Sequence, residues 1–202
     1  IAAFTANGEM EKLNTALHAG LDAGLTIHEI KEILVQMYAY AGFPRSLNGI
    51  HTFMAVMDER HAKGIKDEMG KDASLVPADM NKDAYGAKVR AQLAGQDVIP
   101  PPSGYQLFTP VIDTFLKEHL FADIFARDNL DFLSREIATV GALSSLEGVN
   151  PMLRFHMGAA MNVGLTENQA KELVALIVSE VGKKAGDNAG EVLQQVLGSR
   201  AK

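Results

Sequence analysis

The strongest constraint in this sequence is a helix written twice. Gly24-Leu25-Thr26 and Gly164-Leu165-Thr166 lie 140 residues apart. Each threonine opens a capping box, with Glu29 in the first copy and Gln169 in the second, so that hydroxyl and side chain reciprocally satisfy free amides at a helix start. The apolar residues that follow keep one register: Ile30, Ile33, Leu34, Met37 and Ala41, then Ala170, Leu173, Val174, Ile177 and Val181. This is the stripe of a helix with one buried face. Both copies end at a glycine suited to stop it, Gly42 and Gly182.

The preceding helix matches as well, with Leu13, Leu17 and Leu21 against Leu153, Met157 and Met161. Further back, Ile1–Ala6 (IAAFTA) resembles Ile137–Ala142 (IATVGA) at an offset of 136, so the loop between differs by four residues. The unit is therefore a three-helix repeat. Its second copy is led by Leu133, Ser134, Arg135 and Glu136, which puts the first copy's counterpart of Glu136 before Ile1; the sequence is expected to open inside a helix.

Residues 43–64 read as a further helix with Pro44 near its start and Leu47, Ile50, Met54 and Met57 as its apolar face. Residues 66–104 read as a linker with a short helix at Tyr85–Leu93 and an extended Ile99-Pro100-Pro101-Pro102-Ser103-Gly104 passage. Tyr105–Arg127 is helical, with Phe115, Leu116, Leu120, Ile124 and Phe125 on one side. No alternating strand pattern is present. The expected fold is all-α: a first repeat at 1–65, a linker at 66–104 and a second repeat at 105–202, packed as a pseudo-dimer.

Composition narrows the chemistry. The 202 residues carry 25 acidic against 19 basic side chains and no basic stripe, which argues against a nucleic-acid partner. No apolar run is long enough to span a membrane. No signal-peptide pattern opens the sequence, which favours a cytoplasmic location. With no cysteine, disulfides, thiolate metal sites and thiol catalysis are excluded.

Two polar residues sit where a helical core would be apolar. Glu136 lies on or beside the Leu133, Ile137, Val140 face, and His156 lies in the Leu153, Met157, Ala160 stripe, where the first copy has Ala16. On consecutive antiparallel helices the two can meet. Burial favours the neutral form of each and pairing the charged form, so a shared proton near neutral pH suits proton transfer. The competing reading is a core histidine hydrogen-bonded to a carboxylate, with no substrate. His119 and Asp123, at i, i+4, have no third ligand at a recognisable spacing, so no metal is expected.

Arg135-Glu136, the His156 helix, the Asn162-to-Thr166 N-x-GLT and the first GLT followed by Tyr38–Asn48 (YAYAGFPRSLN) resemble the carboxymuconolactone decarboxylase family, which is similar to the alkylhydroperoxidase D fold. The likeness covers about residues 1–57 and 105–197. Thiol peroxidases of that superfamily place a C-x-x-C between the glutamate and the histidine; here those positions fall on Val149 and Met152, so thiol-based peroxide reduction is ruled out. The decarboxylase branch implies cofactor-free loss of CO2 from a small anionic lactone of aromatic-acid degradation, with His156 as acid and Glu136 orienting it. A cation is then needed for the substrate's anionic oxygens, and Arg45 or Arg127 is a candidate, although a surface or inter-repeat salt bridge is the plainer role for each. Tyr38 and His119 are the other candidate substrate contacts, with packing the plainer role for the tyrosine. The resemblance also implies a homo-oligomer, a trimer of fused pairs. A non-catalytic ligand-binding or assembly protein on the same fold is the alternative.

Overall fold

Thr26 and Thr166 cap their helices as their spacing requires. In the first copy the Glu29 amide donates to Thr26 Oγ1 at 3.3 Å and the Thr26 amide donates to Glu29 Oε2 at 2.8 Å; Thr166 and Gln169 repeat this at 3.2 and 3.0 Å. The structure is a computed structural model describing residues 1–200, and every regular element among them is helical. The first half holds α1 (Ala2–Asn7), α2 (Met10–Asp22), α3 (Ile27–Gln36) and α4 (Tyr38–Ala62). Next come α5 (Lys82–Leu93), α6 (Tyr105–Phe108) and α7 (Pro110–Phe115), which runs on as wider π turns over Leu116–Ile124. The second half holds α8 (Phe132–Ser144), α9 (Asn150–Asn162), α10 (Glu167–Leu176) with π turns at Ile177–Val181, and α11 (Lys183–Arg200).

The two predicted stops behave alike. Gly42 has φ 82° and ψ 160°, and Gly182 has φ 136° and ψ 161°. This backbone region is closed to residues with a Cβ, so in each half the chain turns sharply there before starting its next helix. Pro44 falls in the first turn after the break, where its missing N–H leaves no helix bond unmade.

Four apolar clusters organise the interior. Leu13, Leu17, Ile30, Leu34 and Phe53 centre the first half, and Leu153, Met157, Ala170, Leu193 and Val196 centre the second. Between them lies a seam of small and medium residues, among them Ala2, Ala6, Met37, Ala138 and Ala142, where α1 runs against α8. The close approach is fixed by Ser145 Oγ, which donates to the Ala3 carbonyl at 3.0 Å. The fourth cluster joins Val89 and Leu93 of α5 to Leu120, Phe121, Ile124 and Phe125, and reaches Ala159 of α9.

Two sequence expectations are corrected. The apolar residues Leu47 and Met54 of α4 point outward, at 49% and 59% exposure. The face that packs inward is Ser46, Gly49, Phe53, Val56 and Arg60. Gly49 lets α4 approach Leu34 and Thr5 so closely that a Cβ would sit 3.0 Å from each, and Ser46 Oγ donates to the Leu34 carbonyl at 2.8 Å. Arg60 is accepted inside because Asp67 and Asp22 hold its guanidinium, at 2.7 and 2.8 Å. The helix expected over Tyr105–Arg127 breaks at Thr109 (φ −137°), and Phe115 lies exposed.

The passage 66–104 is tied down at several points. The Ile27 and His28 amides donate to the Glu68 and Met69 carbonyls, each at 2.9 Å. Lys71 and Ser74 both bind Asp128. Helix α5 then lies against the Leu116–Ile124 turns, crossing at Gly86, where a Cβ would fall 1.9 Å from the Lys117 carbonyl oxygen. Gly86→Ala therefore forces two backbones apart and is expected to cost about 1–3 kcal/mol. An unchanged urea midpoint in this variant would show that α5 does not rest on Lys117. No helix among the described residues is long and apolar enough to cross a membrane.

Candidate active site

Helices α8 and α9 run side by side, joined by the short turn after Ser144. Asp131 caps α8, accepting from the Ser134 amide at 2.7 Å. That cap fixes the register in which Arg135 faces the first half and Glu136 faces α9. Glu136 is fully buried and His156 is 6% exposed. They meet through Nδ1 of His156 and Oε2 of Glu136 at 2.7 Å. A carboxylate oxygen only accepts, so Nδ1–H is the donor and Nε2 is left to take up or release a second proton. Nε2 makes no hydrogen bond to any described residue. Two aromatic rings stand edge-on to the imidazole, Tyr40 at 5.3 Å and 83° and Phe155 at 5.1 Å and 87°.

The other oxygen of the carboxylate, Oε1, is buried without a hydrogen-bond partner, and so is the Tyr40 hydroxyl. Burial first, and the Glu136 carboxylate second, push the Tyr40 hydroxyl far above the ordinary tyrosine range, so it stays protonated.

Behind the pair runs a polar ladder between the halves. Glu32, Gln36 and Tyr40 are spaced four apart along one side, and Arg135 and Thr139 are spaced four apart on α8. Arg135 Nη2 donates to Glu32 Oε2 at 3.1 Å, and its Nη1 to Gln36 Oε1 at 3.0 Å. The Gln36 amide donates to the Arg135 carbonyl and to Thr139 Oγ1, both at 2.9 Å. Arg127 closes on Glu32 with contacts of 2.6 and 2.8 Å. Burial works against charge on Glu32, but hydrogen bonds from Arg127 and Arg135 outweigh it and hold the carboxyl below its usual range.

The sequence candidates thus separate. Glu136 and His156 come together. Arg127, considered for substrate binding, is instead engaged with Glu32 as a salt bridge between the halves. Arg45 is exposed, with its guanidinium against the Gly8 backbone. Tyr38 stacks on Phe43 at 4.4 Å and lies 5.5 Å from the His119 ring, and His119 is bound to Asp123 at 2.8 Å. Lys82 holds the same aspartate at 2.7 Å. Among the described residues no three histidine, aspartate or glutamate side chains are grouped as metal ligands.

One surface cavity lies beside the pair, reached through Phe155. It measures about 330 Å³ and is lined by Phe155, Arg154, Arg200, Asn162, Ala159 and Val196, among others. Phe155 lines it and also stands edge-on to His156, which itself lies outside the lining. Arg154 was not singled out in the sequence, although it lies two residues before His156. A larger hollow of about 770 Å³ lies elsewhere, between Ser144–Gly148 and the start of α11.

Residues 110–195 match the carboxymuconolactone decarboxylase family. The match lies wholly within the second half of the chain. The matched segment contains the whole Glu136–His156 pair and Arg154, while Tyr40, Gln36 and Glu32 lie outside it. The positions where thiol peroxidases of similar fold carry cysteines are here Val149, just before α9, and Met152 in its first turn. The matched segment therefore has acid–base groups at its centre and no thiols. The chain has no match among curated proteins.

Proposed function

We propose that the chain is a cofactor-free lyase of the carboxymuconolactone decarboxylase type, acting on a small anionic lactone or related unsaturated carboxylate. The observation that carries this reading is the buried 2.7 Å Glu136–His156 pair with Nε2 uncommitted. Loss of CO2 breaks the bond between the carboxylate and the ring carbon, and the electron pair moves toward a conjugated carbonyl as a dienolate. His156, entering as the imidazolium, delivers its Nε2 proton to carbon and keeps its Nδ1–H on Glu136. Glu136 holds the ring in place and stabilises the charged form. A solvent proton then restores the imidazolium.

The substrate's anionic oxygens go to Arg154 and Arg200, whose cavity adjoins Phe155, in place of Arg45 and Arg127. The first half, with Ala16 at the histidine position, acts as scaffold, so each chain carries one site. The matching helix bounds and glycine breaks of the two halves support reading them as a fused, duplicated unit. Exposed Phe43, Leu47, Phe108, Phe115 and Met152 supply apolar surface for self-association, and a trimer is the expected assembly. Light scattering that returns a monomer at working concentration would count against it.

Release of CO2 from a set of lactone and carboxylate substrates tests the activity directly. If no substrate turns over but one binds stoichiometrically, the same site serves as a ligand-binding module, which is the second reading.

A further inference from the structure

We infer that Gly158 is a specificity-determining residue of the cavity of about 330 Å³ on α9: its missing side chain leaves room for the flat ring of a monocyclic carboxylate whose anionic end is held by Arg154. This rests on taking that cavity as the substrate's. The cavity runs along one face of α9, where Arg154, Phe155, Gly158, Ala159 and Asn162 recur at helical spacing. Its lining includes two arginines and no acidic residue, which favours an anion. Arg154 is exposed and enters no ion pair with a described residue. The far end is already built. Arg200 Nη1 donates to Asn162 Oδ1 at 2.6 Å and the Asn162 amide donates to the Leu93 carbonyl at 2.8 Å, so α11, α9 and α5 are tied together around the opening.

Neither backbone nor packing asks for a glycine at 158. It lies inside α9 without a positive φ, and a Cβ built there would meet nothing nearer than Val196 Cγ1 at 4.0 Å. At Gly49, Gly86 and Gly186 the same atom would fall 3.0, 1.9 and 2.1 Å from a neighbour, and there the glycine lets two elements touch. Within a helix glycine is less favourable than alanine. What Gly158 leaves open is the cavity itself. Helical side chains lean toward the N-terminus, so a larger residue at 158 would lie over Phe155 and Arg154, three and four positions back. It would fill the space between the guanidinium and the Phe155 ring, whose centroid is 5.1 Å from that of His156. With Ala159 beside it, the floor is flat and apolar, and such a floor beside an aromatic wall fits a flat ring. Ligand cavities run from about 300 to 1,000 Å³, and this one, at the small end, suits one ring rather than two.

The test is binding to the full chain, followed by NMR titration with benzoate as the ring probe and acetate as the anion alone. Gly158→Val should weaken benzoate about tenfold or more, the scale on which an apolar pocket registers one or two methyl groups, while acetate binds as before. Arg154→Gln should weaken both probes. Gly158→Ala is expected to bind benzoate less tightly than the wild type and to raise the thermal midpoint, since no neighbour obstructs the added methyl. Gly198→Val, on the exposed end of α11 and outside the lining, should leave both probes unaffected. Benzoate bound equally by wild type and Gly158→Val, an equal loss of both probes in Gly158→Val, a lowered thermal midpoint in Gly158→Ala, or no binding of either probe by the wild type would overturn the inference. A wild type that binds benzoate but releases no CO2 from any substrate leaves it standing and removes the lyase reading alone.

Discussion

Replacing His156 with alanine is expected to lower decarboxylation by about 100- to 10,000-fold, the range associated with a positioned general acid. Glu136→Gln should lower kcat with little change in KM, because it keeps the shape of the side chain and removes the charge that balances the imidazolium only as the proton moves. The two effects should not add, since both act through one proton. Circular dichroism must accompany the kinetics, because His156→Ala leaves a fully buried carboxylate without its partner. Turnover that survives in both variants, on a substrate verified by CO2 release, would remove the pair from the mechanism.

Glu32→Ala is expected to destabilise the fold by about 3–5 kcal/mol, the usual cost of breaking a buried ion pair from one side. Arg135 has no exposed surface, and Glu32 is its counter-charge. Such a loss is a large part of the roughly 5–15 kcal/mol that holds a domain together. The double change Glu32→Gln with Arg135→Met should recover most of it, because the buried charge leaves with its partner. The pH dependence has a definite sign. The folded-state pKa of Glu32 is depressed, so its contribution is fully present above the ordinary carboxylate value of about 4.3 and fades as pH falls through the folded value. Asp67 and Asp113 are depressed as well, so the wild type should lose stability steeply in acid. The double variant should lose it less steeply, and superimposable curves of urea midpoint against pH would show that Glu32 carries no such linkage.

Helix starts and stops were legible in the sequence because capping threonines and glycine breaks act locally, within four residues. The meeting of Glu136 and His156 was legible because two antiparallel neighbours bring successive inward faces together. The face of α4 was not, since hydrophobic spacing favoured Leu47 and Met54 while the closest contact needed Gly49 and Ser46. Nor was the role of Arg127 resolved: its partner lies 95 residues away at Glu32, beyond the reach of any local pattern. The position of Tyr40 against His156 was not legible either, because it depends on how the halves dock.

The Glu32–Arg135 ladder also bears on how such a chain can change by descent. A recombination event within residues 66–104 would exchange the front of the protein while leaving the matched domain untouched. The hybrid would carry a buried arginine whose counter-ion was inherited from another lineage, and it would fold only where the incoming partner brought an acid in register with position 32. The two halves are thus bound into one heritable unit, and substitutions at 32 and 36 fall under the same selection as the acid–base pair.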